Sequence, residues 1–111
     1  MLARKFRLPA KEFPRNAVCV VSSYILLKFS LQSRSHNRFA IVISVKTEKS
    51  SVRRHALKRA LSEILPKWPP LGIDAVLILK RSPTLDERAF FAQDTKELGE
   101  KISREHCPRM A

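Results

Sequence analysis

Five side chains that can carry positive charge lie within ten residues, in the segment VRRHALKRAL at positions 52–61. They are Arg53, Arg54, His55, Lys58 and Arg59. Guanidinium and ammonium groups bind phosphate oxygens, so the chemistry that this segment offers is recognition of a polyanion. Several of these cations are one helical turn apart, and like charges at that spacing destabilise an isolated helix slightly. An anionic partner would offset this repulsion, whereas a merely solvated helix face would not.

The excess of positive charge extends over the whole chain. The 111 residues include 22 Lys and Arg against 10 Asp and Glu, which gives a formal net charge of +12. A nucleic acid is the most common partner of so basic a small protein. The apolar runs are far shorter than the roughly 20 residues of a membrane-spanning helix, and the first residues lack the pattern of a secretory signal. We therefore expect a cytoplasmic protein with no membrane partner.

Residues suited to metal or nucleotide chemistry are not grouped in the sequence. The two glycines, Gly72 and Gly99, cannot form a glycine-rich phosphate loop. Cys19 and Cys107 have no CxxC spacing, which predicts neither a zinc site nor a disulfide framework. The carboxylates are scattered over predicted helix caps and turns, so we expect no metal site. A small metal-dependent nuclease that acts alone is a rival hypothesis, and it would require a cluster of such ligands.

The basic segment belongs to a predicted amphipathic helix. Ser50 or Ser51 is a plausible N-cap, and Pro66 should stop the helix after Leu65. At 100° per residue, one side of this helix is apolar and should face the core: Leu57, Ala60, Leu61 and Ile64. The other side should face outward, with Arg54 at the border: His55, Lys58, Arg59 and Ser62.

Strands and further helices surround this element. Residues 18–30 predict a bent hairpin or one long strand, because Ser22 and Ser23 interrupt them. Residues 39–45 are almost continuously apolar and should form a central strand, and residues 73–80 a strand buried on both faces. A short, weak first helix should end at Pro14. Thr84 and Glu87 form a capping box before a last helix, whose core-facing residues are Phe91, Leu98 and Ile102.

These elements predict one domain, residues 1–111, of the α+β class. The order is roughly α-β-β-(β)-α-β-α, an α/β sandwich with a mixed central sheet. No helix-turn-helix or zinc finger is evident, and a cationic helix on such a sheet fits recognition of structured RNA by backbone and shape. The residues themselves leave open whether the partner is RNA or DNA, and RNA is favoured.

The run RFAIVISVKTEKSSVRRHALKRALSEIL resembles the signature region of the bacterial ribonuclease P protein component. In that family a strand and a Ser-Lys-rich turn lead into a helix with the pattern R-N-x-x-K-R, which here reads Arg54, His55, Ala56, Leu57, Lys58, Arg59. The flanking segments RLPAKEF, IDAVLILK and TLDERAFFAQDTKELGEKI are similar as well, so the resemblance covers nearly the whole chain. Two departures stand out: His55 replaces the family's Asn, and the usual pair of lysines is reduced to Val45-Lys46.

The resemblance implies a fold like domain 2 of ribosomal protein S5, with a left-handed βαβ crossover. It also implies an accessory subunit of an endoribonuclease, without catalytic residues of its own. The RNA subunit would hold the Mg²⁺ and hydrolyse the precursor tRNA to remove its 5′ leader. The expected partners are this catalytic RNA and precursor tRNA, with no small-molecule substrate. A ribosomal-type RNA-binding protein without a role in tRNA processing is the alternative.

The resemblance also assigns roles to individual residues. Contacts to RNA are expected from the basic helix and the turn before it: Arg54, Lys58 and Arg59, with His55, the neighbouring Arg53 and Lys46. The cleft for the leader is expected between the first helix and the open face of the sheet, and its candidates are Phe13, Lys28 and Phe29. For the two aromatic residues, ordinary core packing is the alternative reading.

Overall fold

The computed structural model describes residues 6–13, 17–31, 36–70 and 72–106. The strands are β1 (Val18–Val21), β2 (Ile25–Leu31), β3 (Arg38–Val42) and β4 (Ile73–Leu79), and the helices are α1 (Ser51–Ile64) and α2 (Arg88–His106). Short 3₁₀ turns lie at Ala10–Glu12, Leu65–Lys67 and Leu85–Glu87. The predicted first helix is thus a single 3₁₀ turn, and Pro14 and Cys107 lie outside the described residues. The part of the chain that is described contains no helix long and apolar enough to cross a bilayer.

The four strands form one mixed sheet in the order β1-β2-β4-β3. Strands β1 and β2 form an antiparallel hairpin, β2 pairs antiparallel with β4, and β3 pairs parallel with β4. The interruption at Ser22 is the hairpin turn, where the Ser22 backbone N–H donates to the Ile25 carbonyl at 2.8 Å. The mixed α+β fold is therefore confirmed, and α1 connects two parallel neighbours. The left-handed sense of that crossover stays a prediction.

Strand β3 lies at the edge of the sheet, so its predicted central position is wrong. Its apolar sequence has two other causes. Phe39 points into the core and is 1% exposed. In addition, the N-terminal segment runs parallel beside the strand: Arg7 forms a β-bridge with Phe39, and the Leu8 N–H donates to the Phe39 carbonyl at 2.9 Å. This segment covers an edge that would otherwise present unpaired backbone groups.

Both helices pack against the same face of the sheet. Leu57 and Leu61 of α1 join the aromatic Phe91 of α2 in one buried cluster with Phe29 and Leu77 of the strands. The predicted stripe of α2 is confirmed, because Leu98 and Ile102 are buried in that cluster as well. Strand β4 is buried along almost its whole length, as predicted. The opposite face of the sheet carries no α-helix among the described residues.

The ends of α1 follow the predicted local signals. The Ser50 hydroxyl accepts a hydrogen bond from the Arg53 N–H at 3.3 Å, which makes Ser50 the N-cap. The α-helix ends at Ile64, and one 3₁₀ turn containing Pro66 follows. One residue of the predicted outer side is misplaced: Ser62 is 7% exposed, and its hydroxyl donates to the Lys58 carbonyl at 2.7 Å. This back-bonding satisfies the hydroxyl, so the buried face can extend to residue 62.

Trp68 anchors the loop after α1. Its indole is 5% exposed and meets the Phe39 ring edge to face, with 5.5 Å between ring centroids. Gly99 of α2 packs directly on the indole, because a Cβ atom at this position would lie 2.6 Å from the Trp68 ring. The contact fixes the distance between α2 and the loop that leads into β4.

Candidate nucleic-acid interface

The sheet face turned away from the helices, here called the open face, has three rows of side chains. Residues paired in register share a face, so each row crosses neighbouring strands. The first row is apolar: Val21, Leu26, Ile78 and Val42. The second row is mixed: Cys19, Lys28, Val76 and Ala40. The third row is polar and ionic: Ser30, Asp74 and Arg38.

The apolar row is open to solvent at its two ends, where Val21 is 55% and Val42 39% exposed. Such a row across all four strands is a surface on which planar bases could lie. Lys28 is exposed in the middle row and could reach a phosphate. The open face thus combines an apolar floor with a cation.

The third row contains an ion-pair network that joins Arg38 and Asp74 to Glu12. The Arg38 guanidinium donates to both carboxylate oxygens of Asp74, from Nε at 3.0 Å and from Nη2 at 2.9 Å, and Nη2 also donates to Glu12 Oε1 at 2.8 Å. The hydrogen bond with Asp74 is the largest cause that raises the pKa of Arg38 above its ordinary value. This cation is neutralised within the protein and serves to attach the N-terminal 3₁₀ turn to the open face.

The three predicted cleft residues fall in different places. Lys28 lies on the open face, and Phe13, which directly follows Glu12, is half-buried at the end where the ion pairs lie. Phe29 is 1% exposed in the core on the opposite face, so its assignment to the cleft is wrong and the packing alternative holds. Consecutive residues of a strand point to opposite faces, so Lys28 and Phe29 cannot line one cleft.

Two of the predicted RNA-binding arginines have partners within the protein. Arg54 Nη1 donates to the backbone carbonyls of Glu48 at 2.9 Å and Lys49 at 3.0 Å. Arg53 Nε lies 3.3 Å from Glu48 Oε1, and its Nη2 donates to the Pro83 carbonyl at 3.3 Å. Both side chains therefore fasten the β3–α1 loop to the start of α1, whatever else they contact.

Glu48 is a residue that supports the site and that sequence reasoning missed. It is 9% exposed, and it accepts hydrogen bonds from the Ser50 N–H at 3.1 Å and from the Ser82 hydroxyl. The bond from Ser82 is the largest cause that lowers the pKa of Glu48, and the bond from Ser50 is the next. Its partner Ser82 is 34 residues away, so no local pattern marks the residue. Glu48 joins the β3–α1 loop to the loop between β4 and α2.

The remaining cations of the helix are directed outward. His55 and Arg59 are exposed and Lys58 is half-buried. Within the described ranges, no carboxylate lies within ion-pair distance of Lys58 or Arg59. Lys58 also lines a cavity of about 510 Å³ together with Arg7 of the N-terminal segment. Positive charge thus continues from α1 to the β3 edge, which borders the open face.

Lys46 lies in the turn between β3 and α1. The Ser44 and Thr47 hydroxyls are 2.9 Å apart, and the Thr47 N–H donates to the Ser44 carbonyl at 3.1 Å, so the turn closes just around Lys46. Its side chain is exposed, as a phosphate contact requires. The same described ranges contain no group of three or more His, Cys, Asp or Glu side chains arranged to hold a metal ion.

The fold and the site define a class of basic α+β proteins with a cationic helix beside an open sheet face. The family model described as Ribonuclease P matches residues 11–103. Ribonuclease P protein components from two Synechococcus strains, one of them Synechococcus elongatus, are each 37% identical to the chain over 78 residues. The match covers 67% of this chain and 62% of each relative, so it spans less than two thirds of their length. The chain belongs to the ribonuclease P protein family.

Solved structures show the same fold. A Staphylococcus aureus RNase P protein, a mutant with defective mRNA degradation activity, has a TM-score of 0.71 at 19% identity, covering 91% of this chain and 90% of that one. The RNase P protein of Thermotoga maritima has a TM-score of 0.55 at 22% identity, covering 86% of each chain. At these identities the likeness concerns the fold alone.

Proposed function

We propose that this chain is the protein subunit of a ribonuclease P ribonucleoprotein. It binds the catalytic RNA and the 5′ leader of precursor tRNA, and it supports removal of the leader by the RNA subunit. The observation that carries this proposal is the presence of two different surfaces beside the β3 edge. One is the outward basic side of α1, and the other is the open face with its N-terminal turn. Membership of the family supports the same assignment.

The basic side of α1 is the surface for the catalytic RNA. Lys58 and Arg59 make the direct phosphate contacts, because they have no competing carboxylates among the described residues. His55 is exposed on the same side and adds a hydrogen bond to the RNA. Arg53 and Arg54 hold the start of the helix in place and present their remaining donors to the RNA. Lys46 reaches phosphates near the cleavage site from its exposed turn.

The open face is the surface for the single-stranded leader. Phe13 is half-exposed and stacks on a base, which stabilises a single-stranded nucleic acid by roughly 1–3 kcal/mol per base. Lys28 neutralises a phosphate, and the apolar row lies beneath neighbouring bases. Stacking on apolar groups accepts any base, so this surface distinguishes a leader from its absence and not one sequence from another.

The chemistry of hydrolysis is assigned to the RNA subunit. Mg²⁺ held by that RNA supplies the metal-assisted cleavage, and the protein contributes no catalytic group. Its contribution is positioning, together with neutralisation of phosphate charge between the two RNAs. Such screening should matter most where Mg²⁺ is scarce, because free Mg²⁺ and protein cations neutralise the same phosphates.

The test is cleavage of a precursor tRNA by the cognate catalytic RNA at low Mg²⁺, with and without the protein. We expect stimulation that grows when the substrate carries a 5′ leader. Tight binding to the catalytic RNA without leader-dependent stimulation would refute the leader role. Equal affinity for a ribosomal RNA fragment would instead favour the ribosomal-type alternative. Cleavage by the protein alone, abolished by carboxylate substitutions, would support the rival nuclease.

A further inference from the structure

The N-terminal segment is fastened to the sheet at two points. The first is the backbone bridge at β3, where the Leu8 N–H donates to the Phe39 carbonyl at 2.9 Å. The second is the side-chain bond between Arg38 and Glu12 at 2.8 Å. Phe13 follows the second point directly, and adjacent Cα atoms are only about 3.8 Å apart. The backbone at Phe13 is therefore tied to the open face through Glu12 and Arg38.

The 3₁₀ turn cannot hold this position by itself. It comprises three residues, Ala10–Glu12, with a backbone bond from the Glu12 N–H to the Pro9 carbonyl at 2.9 Å. So short a helical turn is not stable in isolation, because nucleation costs more than one hydrogen bond returns. Contacts with the rest of the molecule must therefore determine where the turn lies.

Arg38 provides such a contact between the sheet and the 3₁₀ turn. Its pair with Asp74 lies within the sheet, since the two residues are register partners on β3 and β4 and their side chains are 14% and 5% exposed. Two parallel hydrogen bonds to one carboxylate fix the plane of the guanidinium. The Nη2 group, which is held by Asp74, also bonds to Glu12, whose side chain is 43% exposed. One end of this network is rigid and the other is open to solvent.

We propose that Arg38 is a positioning residue for leader recognition, acting through Glu12 to hold Phe13 over the open face. This inference rests on the proposed function, because it presumes that the leader lies there. Arg38 does not itself contact a phosphate, since two carboxylates already neutralise it. The exposed pair with Glu12 sets the orientation of the turn, and the buried pair with Asp74 sets the orientation of Arg38.

A purely electrostatic role for Glu12 predicts the opposite result. A carboxylate near a polyanion repels it, so removal of this charge should strengthen binding of the leader. If Glu12 positions the turn, its removal should weaken that binding in spite of the more favourable charge. The sign of the effect therefore separates the two explanations.

The experiment compares Glu12→Ala with Glu12→Gln in the complex with catalytic RNA. Both variants remove one negative charge, but glutamine keeps an oxygen that can accept the bond from Arg38. Glu100→Gln is the control, because it removes an exposed carboxylate from α2. The measured quantity is the ratio of Kd values for precursor tRNA without and with its leader. This ratio cancels any difference in the folded fraction of a variant.

We expect Glu12→Ala to reduce the ratio by roughly twofold to fivefold, as for the loss of an exposed ion pair. Glu12→Gln should reduce it less, and Glu100→Gln should leave it unchanged. Equal ratios for the two Glu12 variants, or ratios above that of the unmodified protein, would overturn the positioning role. Absence of any leader preference in the unmodified protein would instead overturn the proposed function.

Discussion

The double substitution Lys58→Ala with Arg59→Ala should weaken binding to the catalytic RNA and reduce its salt dependence, while the fold stays intact. Arg59 is exposed and Lys58 half-buried, and neither has a carboxylate partner in the described part of the chain. Their loss therefore removes phosphate contacts without leaving a buried charge unpaired. Arg53 and Arg54 are unsuitable for this test, because both also hold the loop before α1.

The expected magnitude follows from counterion release. Each phosphate contact contributes roughly 0.7–0.9 to the slope of log affinity against log salt, so two contacts contribute about 1.4–1.8. Between 50 and 200 mM salt, the logarithm of the concentration rises by about 0.6. The factor by which affinity falls over that range should therefore be roughly 7- to 12-fold smaller for the variant than for the unmodified protein. A difference of this size is well above the error of a binding titration.

The assay is a titration of labelled catalytic RNA at several salt concentrations. Lys96→Ala with Lys101→Ala is the matched control, because it removes two exposed cations from α2 and leaves α1 unchanged. Thermal unfolding should confirm that both double variants are folded. Equal reductions of the slope in the two variants would mean that net charge alone governs binding. An unchanged slope in the α1 variant would refute the docking role of that helix.

Further predictions concern the structure that supports the site. Gly99→Ala should destabilise the fold by about 1–2 kcal/mol, since overpacking against Trp68 outweighs the gain in helix propensity; thermal unfolding measures this. Glu48→Gln should flatten the pH dependence of the unfolding free energy in acid. The bond from Ser82 lowers the pKa of Glu48, so the stabilisation that Glu48 provides is complete above the ordinary glutamate pKa of 4.5 and is lost as pH falls below that pKa. Arg54→Ala should cost about 1–3 kcal/mol in denaturant unfolding, because two loop carbonyls lose their donor.

Each of these predictions has a result that would contradict it, and two of them have a control variant. A higher melting temperature for Gly99→Ala would show that the indole moves aside. For Glu48→Gln the control is Glu63→Gln, which removes an exposed carboxylate from α1, and identical pH profiles would contradict the role of Glu48. For Arg54→Ala the control is Arg59→Ala, and an equal loss of stability in the two would mean that the loop bonds contribute nothing.

Local patterns predicted the elements whose signals lie in adjacent residues. Ser50 caps α1, and the helix ends before Pro66, because capping and the missing proline N–H act within one turn. The interruption at Ser22 and the buried strand β4 were predictable for the same reason, whereas the sequence left open whether residues 18–30 form a hairpin or one long strand. Each element needed only its own sequence to be recognised.

The order of the strands could not be predicted in the same way. An apolar run is equally compatible with a central strand and with an edge strand that another segment covers. In β3 the cover is the N-terminal segment at Leu8, more than thirty positions earlier, and no periodicity relates the two. The sheet face on which each side chain lies is easier to predict than the strand order. Alternation places Lys28 and Phe29 on opposite faces, and the buried partners of Phe29 decide which face is the core.

The five cationic side chains at positions 53–59 look equivalent in the sequence. In the structure, two of them have partners within the protein and three are directed outward. Arg53 and Arg54 bind Glu48, the loop carbonyls and the Pro83 carbonyl, which is 30 residues from Arg53, so their second role depends on the tertiary fold. If all four permanent charges of the helix contacted phosphates, the slope would rise by roughly 2.8–3.6, about twice the value for Lys58 and Arg59 alone. Arg53 is already paired with Glu48, so only the donors that its internal bonds leave unused can reach a phosphate. Full use of Arg53 as a phosphate contact would leave Glu48 without its neighbouring cation and weaken the start of α1, so a slope below the larger value follows from this structure.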